Sequence, residues 1–288
     1  MTRSFDILSN DNTLYATGRC NNRCRFCCQP PVAEEDAAAL WKENMRLIES
    51  APSGIGVVGI SGGEPTLLGG RLFELIEAVV RHMPEATIHL LSNGRAFRDA
   101  ALAGKVVAAA HGRLVAGVPL HSDYCGDHDF IAGSTGAFDH TVAGICNLAA
   151  AGAAVELRVV INRHNYRRLP DISRYIHRNL PFVSLTAFMA MERIGLAESD
   201  AAEIWAEPCD YSEELAAAVE YLHIWRHPVA IYNVPLCLLP AGVRRFACRS
   251  ISDWKQYYIP ACHGCSLRSE CCGLFATSSQ PFRNIRAI

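Results

Sequence analysis

No stretch of this chain stays apolar for the roughly 18 residues that a membrane-spanning helix needs. The opening, MTRSFDILSNDNTLYATGRC, holds no hydrophobic run long enough for an export signal. Neither sign of charge dominates: 27 Lys and Arg face 29 Asp and Glu, so the basic field that gathers nucleic acid is missing. Internal repeats are absent, and there is no low-complexity segment beyond Ala-rich helices. These absences predict a cytoplasmic protein whose partners include neither membrane nor nucleic acid. What the chain has in quantity is apolar surface and sulfur. Half of its 288 residues are hydrophobic, enough for a sizeable core in one large domain or a domain with a small appendage. Its 13 cysteines, in a chain without an export signal, point to metal binding or catalysis rather than disulfides, because a reducing cytoplasm keeps thiols free.

Short β-branched or apolar runs alternate with helical patterns. TLYAT, GVVGI, ATIHLL, RLVAGV, AVELRVVI and FVSLTAF read as strands, and helices are expected over 34–50, 70–82, 96–110, 138–151 and about 170–179. Six strand–helix units predict an α/β fold, a partial (β/α)6 barrel of the TIM type, although an open doubly wound sheet has the same pattern. The expected organisation is a core over 1–190, a connection with a helix over 191–228, and a small Cys-rich extension over 229–288 that begins with the strand VAIYNV. That tail is too short for a core of its own, so a metal is expected to order it. Every polar motif follows a strand, and strand C-terminal ends share the face where β/α proteins bind ligands.

In GRCNNRCRFCCQPP, Cys20, Cys24 and Cys27 stand at a C-x3-C-x2-C spacing on one loop. Three thiolates hold three irons of a cubane and leave the fourth iron open to a cofactor or substrate. A zinc half-site is the alternative, completed by a cysteine pair elsewhere. Cys28 is expected to point away. After the second strand, Gly62 and Gly63 let a ligand approach the backbone, Glu64 adds a fixed acceptor, and Pro65 closes the turn. Toward the other end, Cys262, Cys265 and Cys271 follow a C-x2-C-x5-C spacing, with Cys237 upstream. Four thiolates close the shell of an electron-transfer or structural cluster; a zinc knot satisfies the same spacing. Cys237 is favoured as fourth ligand over Cys248, Cys272 and His263. Cys125, Cys146 and Cys209 read as small buried hydrophobes. His121 and His128 read as solvated loop residues.

The C-x3-C-x-aromatic-C loop, with Phe26 before its last cysteine, resembles the signature of the radical S-adenosylmethionine (SAM) superfamily, and Gly62–Pro65 resembles that family's GGEP motif. The resemblance implies a 4Fe-4S cluster whose open iron binds SAM, and a 5′-deoxyadenosyl radical that abstracts hydrogen from substrate. It implies SAM contacts from Phe26, Gly62, Gly63, Glu64 and Pro65, and more loosely from Ser92 and Asn93 after the third strand, Ser122 after the fourth and Arg158 on the fifth. The cysteine-rich tail is similar to SPASM and twitch extensions, which implies one auxiliary 4Fe-4S cluster. CNNRCRFCCQPP, PLHSDYCGDHDFIAGSTGAFDHTVAGI, YNVPLCLLP and ISDWKQYYIPACHGCSLRSECCGLFATS resemble the HxsC maturases of the His-Xaa-Ser system. This implies an enzyme that modifies or crosslinks side chains of a small protein or peptide, with an external electron donor and a partner radical-SAM protein. The alternatives are a radical-SAM enzyme on a small metabolite, a glycyl-radical activase, or a non-catalytic iron–sulfur or zinc scaffold or electron carrier.

Overall fold

The computed structural model describes residues 5–9 and 11–288. Eight strands follow chain order in one sheet: β1 (Thr13–Thr17), β2 (Val57–Gly62), β3 (Thr87–Leu91), β4 (Leu114–Pro119), β5 (Ala154–Val160), β6 (Leu185–Met189), β7 (Val229–Tyr232) and β8 (Ala247–Cys248). Neighbours pair in parallel, as in Leu14↔Ile60, Ile88↔Leu114 and Phe188↔Ile231. The α/β class and the parallel sheet are as the sequence pattern predicts, but the sheet has eight strands rather than six. The extra pair comes from the Cys-rich region: VAIY joins beside β6, and Ala247–Cys248 adds a two-residue edge strand too short to leave a periodic signal.

The intervening helices are α1 (Ala37–Glu49), α2 (Gly70–His82), α3 (Ala100–Ala109), α4 (Cys125–Ala132), α5 (Ala137–Ala150), α6 (Leu169–Asn179), the short α7 (Leu196–Ser199) and α8 (Ala201–Ile204), and α9 (Ser212–Ile224). Helix α4 was not expected; it fills part of the long PLHSDYCGDHDFIAG connection. Apolar residues at helical spacing decide which face each helix buries. On α2 these are Leu72, Leu75, Ile76 and Val79. Each buried Leu or Ile contributes about 1.5–3 kcal/mol. Asp36 and Asp99 cap α1 and α3 by accepting backbone N–H groups of the first turn. Among the described residues no helix is long and apolar enough to cross a membrane.

The chain divides into two compact units. The first comprises residues 1–23, 29–119 and 136–156; the second comprises 24–28, 120–135 and 157–288. In the first unit, α5 lies against the turn after β3. Its Gly144 is where the helix backbone comes closest: an added Cβ would stand 2.0 Å from the Gly94 carbonyl oxygen and 3.3 Å from Phe97 Cβ. In the second unit, α6 and α9 pack together and Ser173 donates to the Ala218 carbonyl at 3.1 Å. The tail is less bare than its length predicts. Ile251, Cys272 and Phe275 form a small buried cluster, and an antiparallel pair, β9 (Gln256–Tyr257) with β10 (Leu274–Phe275), closes over it.

Gly144→Ala must push α5 off the turn it rests on, at a cost of about 2 kcal/mol. The expected outcome is a thermal midpoint lower by roughly 4–8 °C, read by circular dichroism on anaerobically purified protein; an unchanged midpoint removes this contact from the account.

Candidate functional site

In the first unit, one carboxylate binds two strand ends together and, through Asn93, reaches the loop after a third. Glu64, fully buried, caps the short helical turn Pro65–Leu68: its Oε1 accepts Thr66 N at 3.0 Å and Thr66 Oγ1 at 2.6 Å. The same oxygen accepts Ser92 Oγ at 2.8 Å, and Oε2 accepts Asn93 N at 2.7 Å, tying the end of β2 to the end of β3. Asn93 passes the link to the cysteine loop: its Nδ2 donates to Asn21 Oδ1 at 2.6 Å and lies 3.9 Å from Cys20 Sγ. Arg95 reaches the same loop through Asn21 O at 2.8 Å and Asn22 Oδ1 at 2.6 Å.

The two glycines before Glu64 have a different first cause from ligand access. A Cβ on Gly62 would stand 2.2 Å from the Thr17 carbonyl oxygen, and one on Gly63 would stand 2.2 Å from that of Arg19. Gly62 also has φ +138°, which side-chain-bearing residues rarely adopt. The gain is a backbone seam in which Gly63 N donates to Thr17 O and Glu64 N to Arg19 O, at 2.6 and 2.8 Å. A register shift between Tyr15 and Thr17 ends β1 just before this seam and turns the chain into the cysteine loop.

Cys20, in the first unit, is half-buried and accepts Asn22 N at 3.4 Å. Burial raises its thiol pKa, as does the Glu64 charge, while the hydrogen bonds to sulfur lower it. Cys24 and Cys27, in the second unit, are also half-buried, whereas Cys28 is exposed. Their segment is fastened at both ends. Arg25 N donates to Ile131 O at 3.0 Å, and its guanidinium lies 3.9 Å over the Phe130 ring. Leu196 N donates to Cys27 O at 2.9 Å, while Gly195, at φ +59°, presses on the loop so closely that a Cβ would stand 2.6 Å from Cys27 O and 2.8 Å from Cys28 O.

The looser candidates have partners within the protein, and the readings of two histidines and three cysteines need correcting. Ser92 spends its hydroxyl on Glu64 and accepts Gly94 N at 3.1 Å. Ser122 is fully buried, accepting Tyr124 N at 3.2 Å and donating to Asp123 at 3.5 Å. Arg158 lies on β5, half-buried, with its carbonyl oxygen accepting Leu120 N at 3.2 Å. His121 and His128 are not solvated: each is 1% exposed, because α4 folds the loop back over them. Phe26 meets the His121 ring edge-on at 5.3 Å. Of the cysteines read as core, Cys125 and Cys146 are exposed and Cys209 is half-buried. Cys146 follows Ile145, which holds the inner face of α5, and therefore turns outward.

The C-terminal cysteines sort themselves by place. Cys237, Cys262, Cys265 and Cys271 line one small cavity with Leu236, Tyr258 and Leu274. Cys272 is turned into the small tail core, and Cys248 is exposed on β8; neither lines the cavity. Backbone N–H groups already point at sulfur: Leu236 N and Gly273 N each lie 3.5 Å from Cys271 Sγ, and Ile288 N lies 3.5 Å from Cys265 Sγ. A hydrogen bond from the Cys272 thiol, helped by those amides, lowers the Cys271 pKa to about 6 against the effect of burial. Cys272 correspondingly stays protonated. Among the described residues no three Cys, His, Asp or Glu side chains are gathered tightly enough for a single metal ion. All-thiol donor sets with amides directed at sulfur fit iron–sulfur clusters.

A parallel α/β sheet with cysteines on the loop after its first strand defines a class of iron–sulfur enzyme, and the family comparison makes it specific. Residues 14–176, more than half of the chain, match the model of the radical SAM superfamily. The chain belongs to that superfamily, which implies a SAM-binding 4Fe-4S cluster. Fe-coproporphyrin III synthase of Methanosarcina barkeri is 30% identical over 158 residues, 54% of this chain and 38% of its own length. Streptococcus suis SuiB bound to S-adenosylmethionine shares the fold with a TM-score of 0.59 at 14% identity, over 76% of this chain and 49% of SuiB. Native anSMEcpe with bound AdoMet does so with a TM-score of 0.59 at 16% identity, over 76% of this chain and 62% of its own. The chain thus spans less than two thirds of each relative.

Glu64→Gln replaces two acceptor oxygens by one oxygen and an amide facing donors. It is expected to destabilise the protein by about 3 kcal/mol, more than Ser92→Ala at about 1–2 kcal/mol, in denaturant titrations. Equal losses argue against the carboxylate as the centre of the network. Gly195→Ala is expected to halve the iron retained after anaerobic reconstitution, or worse; full iron content shows that the clamp on Cys27 is dispensable.

Proposed function

We propose that this radical SAM enzyme is a maturase that modifies side chains of a small protein or peptide of the His-Xaa-Ser repeat type, crosslinking included. The observation that carries the reading is the cavity lined by Cys237, Cys262, Cys265 and Cys271, which supports one auxiliary 4Fe-4S cluster in a twitch- or SPASM-like tail over 229–288. The fold shared with SuiB, which has also been solved bound to its precursor peptide SuiA, supports a peptide as substrate. The HxsC resemblance supports a partner radical-SAM protein and an external electron donor.

In this reading Cys20, Cys24 and Cys27 hold the SAM cluster. Phe26, Gly62, Gly63, Glu64, Pro65, Ser92, Asn93, Ser122 and Arg158 surround SAM. When bound, the reduced cluster and SAM supply a 5′-deoxyadenosyl radical for hydrogen abstraction, and an auxiliary cluster supplies an electron acceptor for an oxidative bond. The chain's own groups position these parts. The Glu64 carboxylate is spent on Thr66, Ser92 and Asn93, so it shapes the 62–65 turn and leaves main-chain carbonyls to meet the SAM ammonium. Arg95 and Asn93 hold the first half of the cysteine loop, and Arg25 and Gly195 the second. A small-molecule substrate is the second reading, favoured by the likeness to Fe-coproporphyrin III synthase.

The test is iron and zinc content together with 5′-deoxyadenosine release after anaerobic reconstitution and dithionite reduction. Wild type is expected to hold about eight irons in two clusters and to release 5′-deoxyadenosine. Cys20→Ala/Cys24→Ala/Cys27→Ala should keep about half the iron and release none. Cys237→Ala/Cys271→Ala should keep about half and still cleave SAM. Zinc in place of iron, or only about four irons in wild type, removes the auxiliary cluster; iron without SAM cleavage moves a non-catalytic scaffold to the front.

A further inference from the structure

Residues 282–288 carry no cysteine, yet they reach the thiol-lined cavity, where Ile285 and Arg286 form part of the wall. The segment is anchored just before it arrives there. Phe282, buried, stacks on the Trp205 ring at 5.9 Å. The Glu207 carboxylate accepts the Trp205 indole N–H at 2.9 Å and the Arg283 main-chain N–H at 3.0 Å, and the Arg283 guanidinium donates to Asp210 Oδ2 at 2.7 Å. Asn284 then takes a left-handed conformation, φ +62°, which asparagine tolerates better than most residues.

Beyond this turn the segment works through its backbone. The side chains of Arg286, Ala287 and Ile288 are exposed, so apolar burial does not hold the run in place. The Ile288 N–H points at Cys265 Sγ at 3.5 Å, while its carbonyl oxygen accepts the Ser266 N–H at 3.0 Å and the Ser266 hydroxyl at 2.9 Å. Burial raises the Cys237 thiol pKa, and a hydrogen bond from the Arg286 main chain opposes it. Donors two residues apart share one side of an extended chain, so a single run of backbone serves both sulfurs. Cys271 differs, because its amides, Leu236 N and Gly273 N, belong to the loops that carry Cys237 and Cys271 themselves. The donors at 286 and 288 come from a segment with no thiol of its own.

We propose that residues 282–288 are a positioning strap for the auxiliary cluster, with the Arg286 and Ile288 N–H groups donating to the sulfurs of Cys237 and Cys265. The inference rests on the reading of Cys237, Cys262, Cys265 and Cys271 as ligands of a 4Fe-4S cluster and adds to that site the segment that tunes it. An N–H directed at a ligating sulfur favours the reduced, more negative cluster and so raises its potential, and outer-shell donors of this kind also hold the metal.

The test isolates this cluster in Cys20→Ala/Cys24→Ala/Cys27→Ala as the parent. Arg286→Pro removes one N–H and keeps the segment, truncation after Asn284 removes both, and Ala287→Pro stiffens the same run by removing an N–H outside the pair. Each is reconstituted anaerobically and followed by EPR-monitored redox titration and by iron release to a ferrous chelator. Arg286→Pro and the truncation are expected to have lower midpoint potentials and to release iron about tenfold faster, with Ala287→Pro like the parent. An unchanged potential in both, or an equal drop in Ala287→Pro, overturns the proposal. If neither Arg286→Pro nor the truncation loads iron, amide hydrogen exchange over residues 283–288 of the wild type decides: protection gained on cluster loading is expected, and equal exchange in loaded and iron-free protein overturns the proposal. A wild type that takes up no second cluster overturns the underlying reading of the cavity, a result distinct from a loaded cluster indifferent to the strap.

Discussion

The arrangement of the first unit depends on satisfying one buried charge. A carboxylate removed from water costs several kcal/mol unless its lone pairs meet donors, and Glu64 meets this condition only when Thr66, Ser92 and the Asn93 amide stand where they do. The condition propagates outward. Asn93, held by its backbone, aims its side chain at Asn21 and Cys20, so a charge at the end of β2 sets the environment of a thiol on the loop after β1. The backbone seam between Gly62–Glu64 and Thr17–Arg19 supplies the close approach that makes this possible.

The second unit solves its problem by clamping rather than by charge. Loop 24–28 is held through its backbone by Ile131 and Leu196, with Gly195 pressed against two carbonyl oxygens. The segment after β6 also reaches the tail: Arg193 N donates to Ser278 Oγ at 3.0 Å, and Lys255 meets the Glu192 carboxylate at 3.0 Å. The loop bearing Cys24 and Cys27 and the cysteine-rich tail are thus tied to the same short stretch of chain. The tail in turn draws part of its order from a three-residue apolar cluster, which explains why Cys272 is a core residue and its neighbour Cys271 faces the thiol-lined cavity.

Much of this was legible in the chain itself. Period-2 runs and helical stripes fixed the α/β class and the first six strands, because burying one face per element leaves a mark at every second or every third and fourth residue. The spacing of Cys20, Cys24 and Cys27, with Gly62–Pro65 one unit later, was enough to indicate the family, since local spacing survives any tertiary arrangement. What needed the tertiary structure was how each polar group is spent. Ser92 and Ser122 look like free hydroxyls in the sequence and carry hydrogen bonds to their own neighbours; His121 looks solvated and is buried, its ring nitrogens without a hydrogen-bond partner among the described residues. Cys248 and Cys272 compete with the favoured Cys237 in the sequence, and of the three only Cys237 lines the cavity. Hydrogen-bond satisfaction and side-chain direction depend on residues far away in the chain, so neither composition nor periodicity carries them; the sequence determined the family and the elements, and the packing decided which donors and acceptors were left for a cofactor.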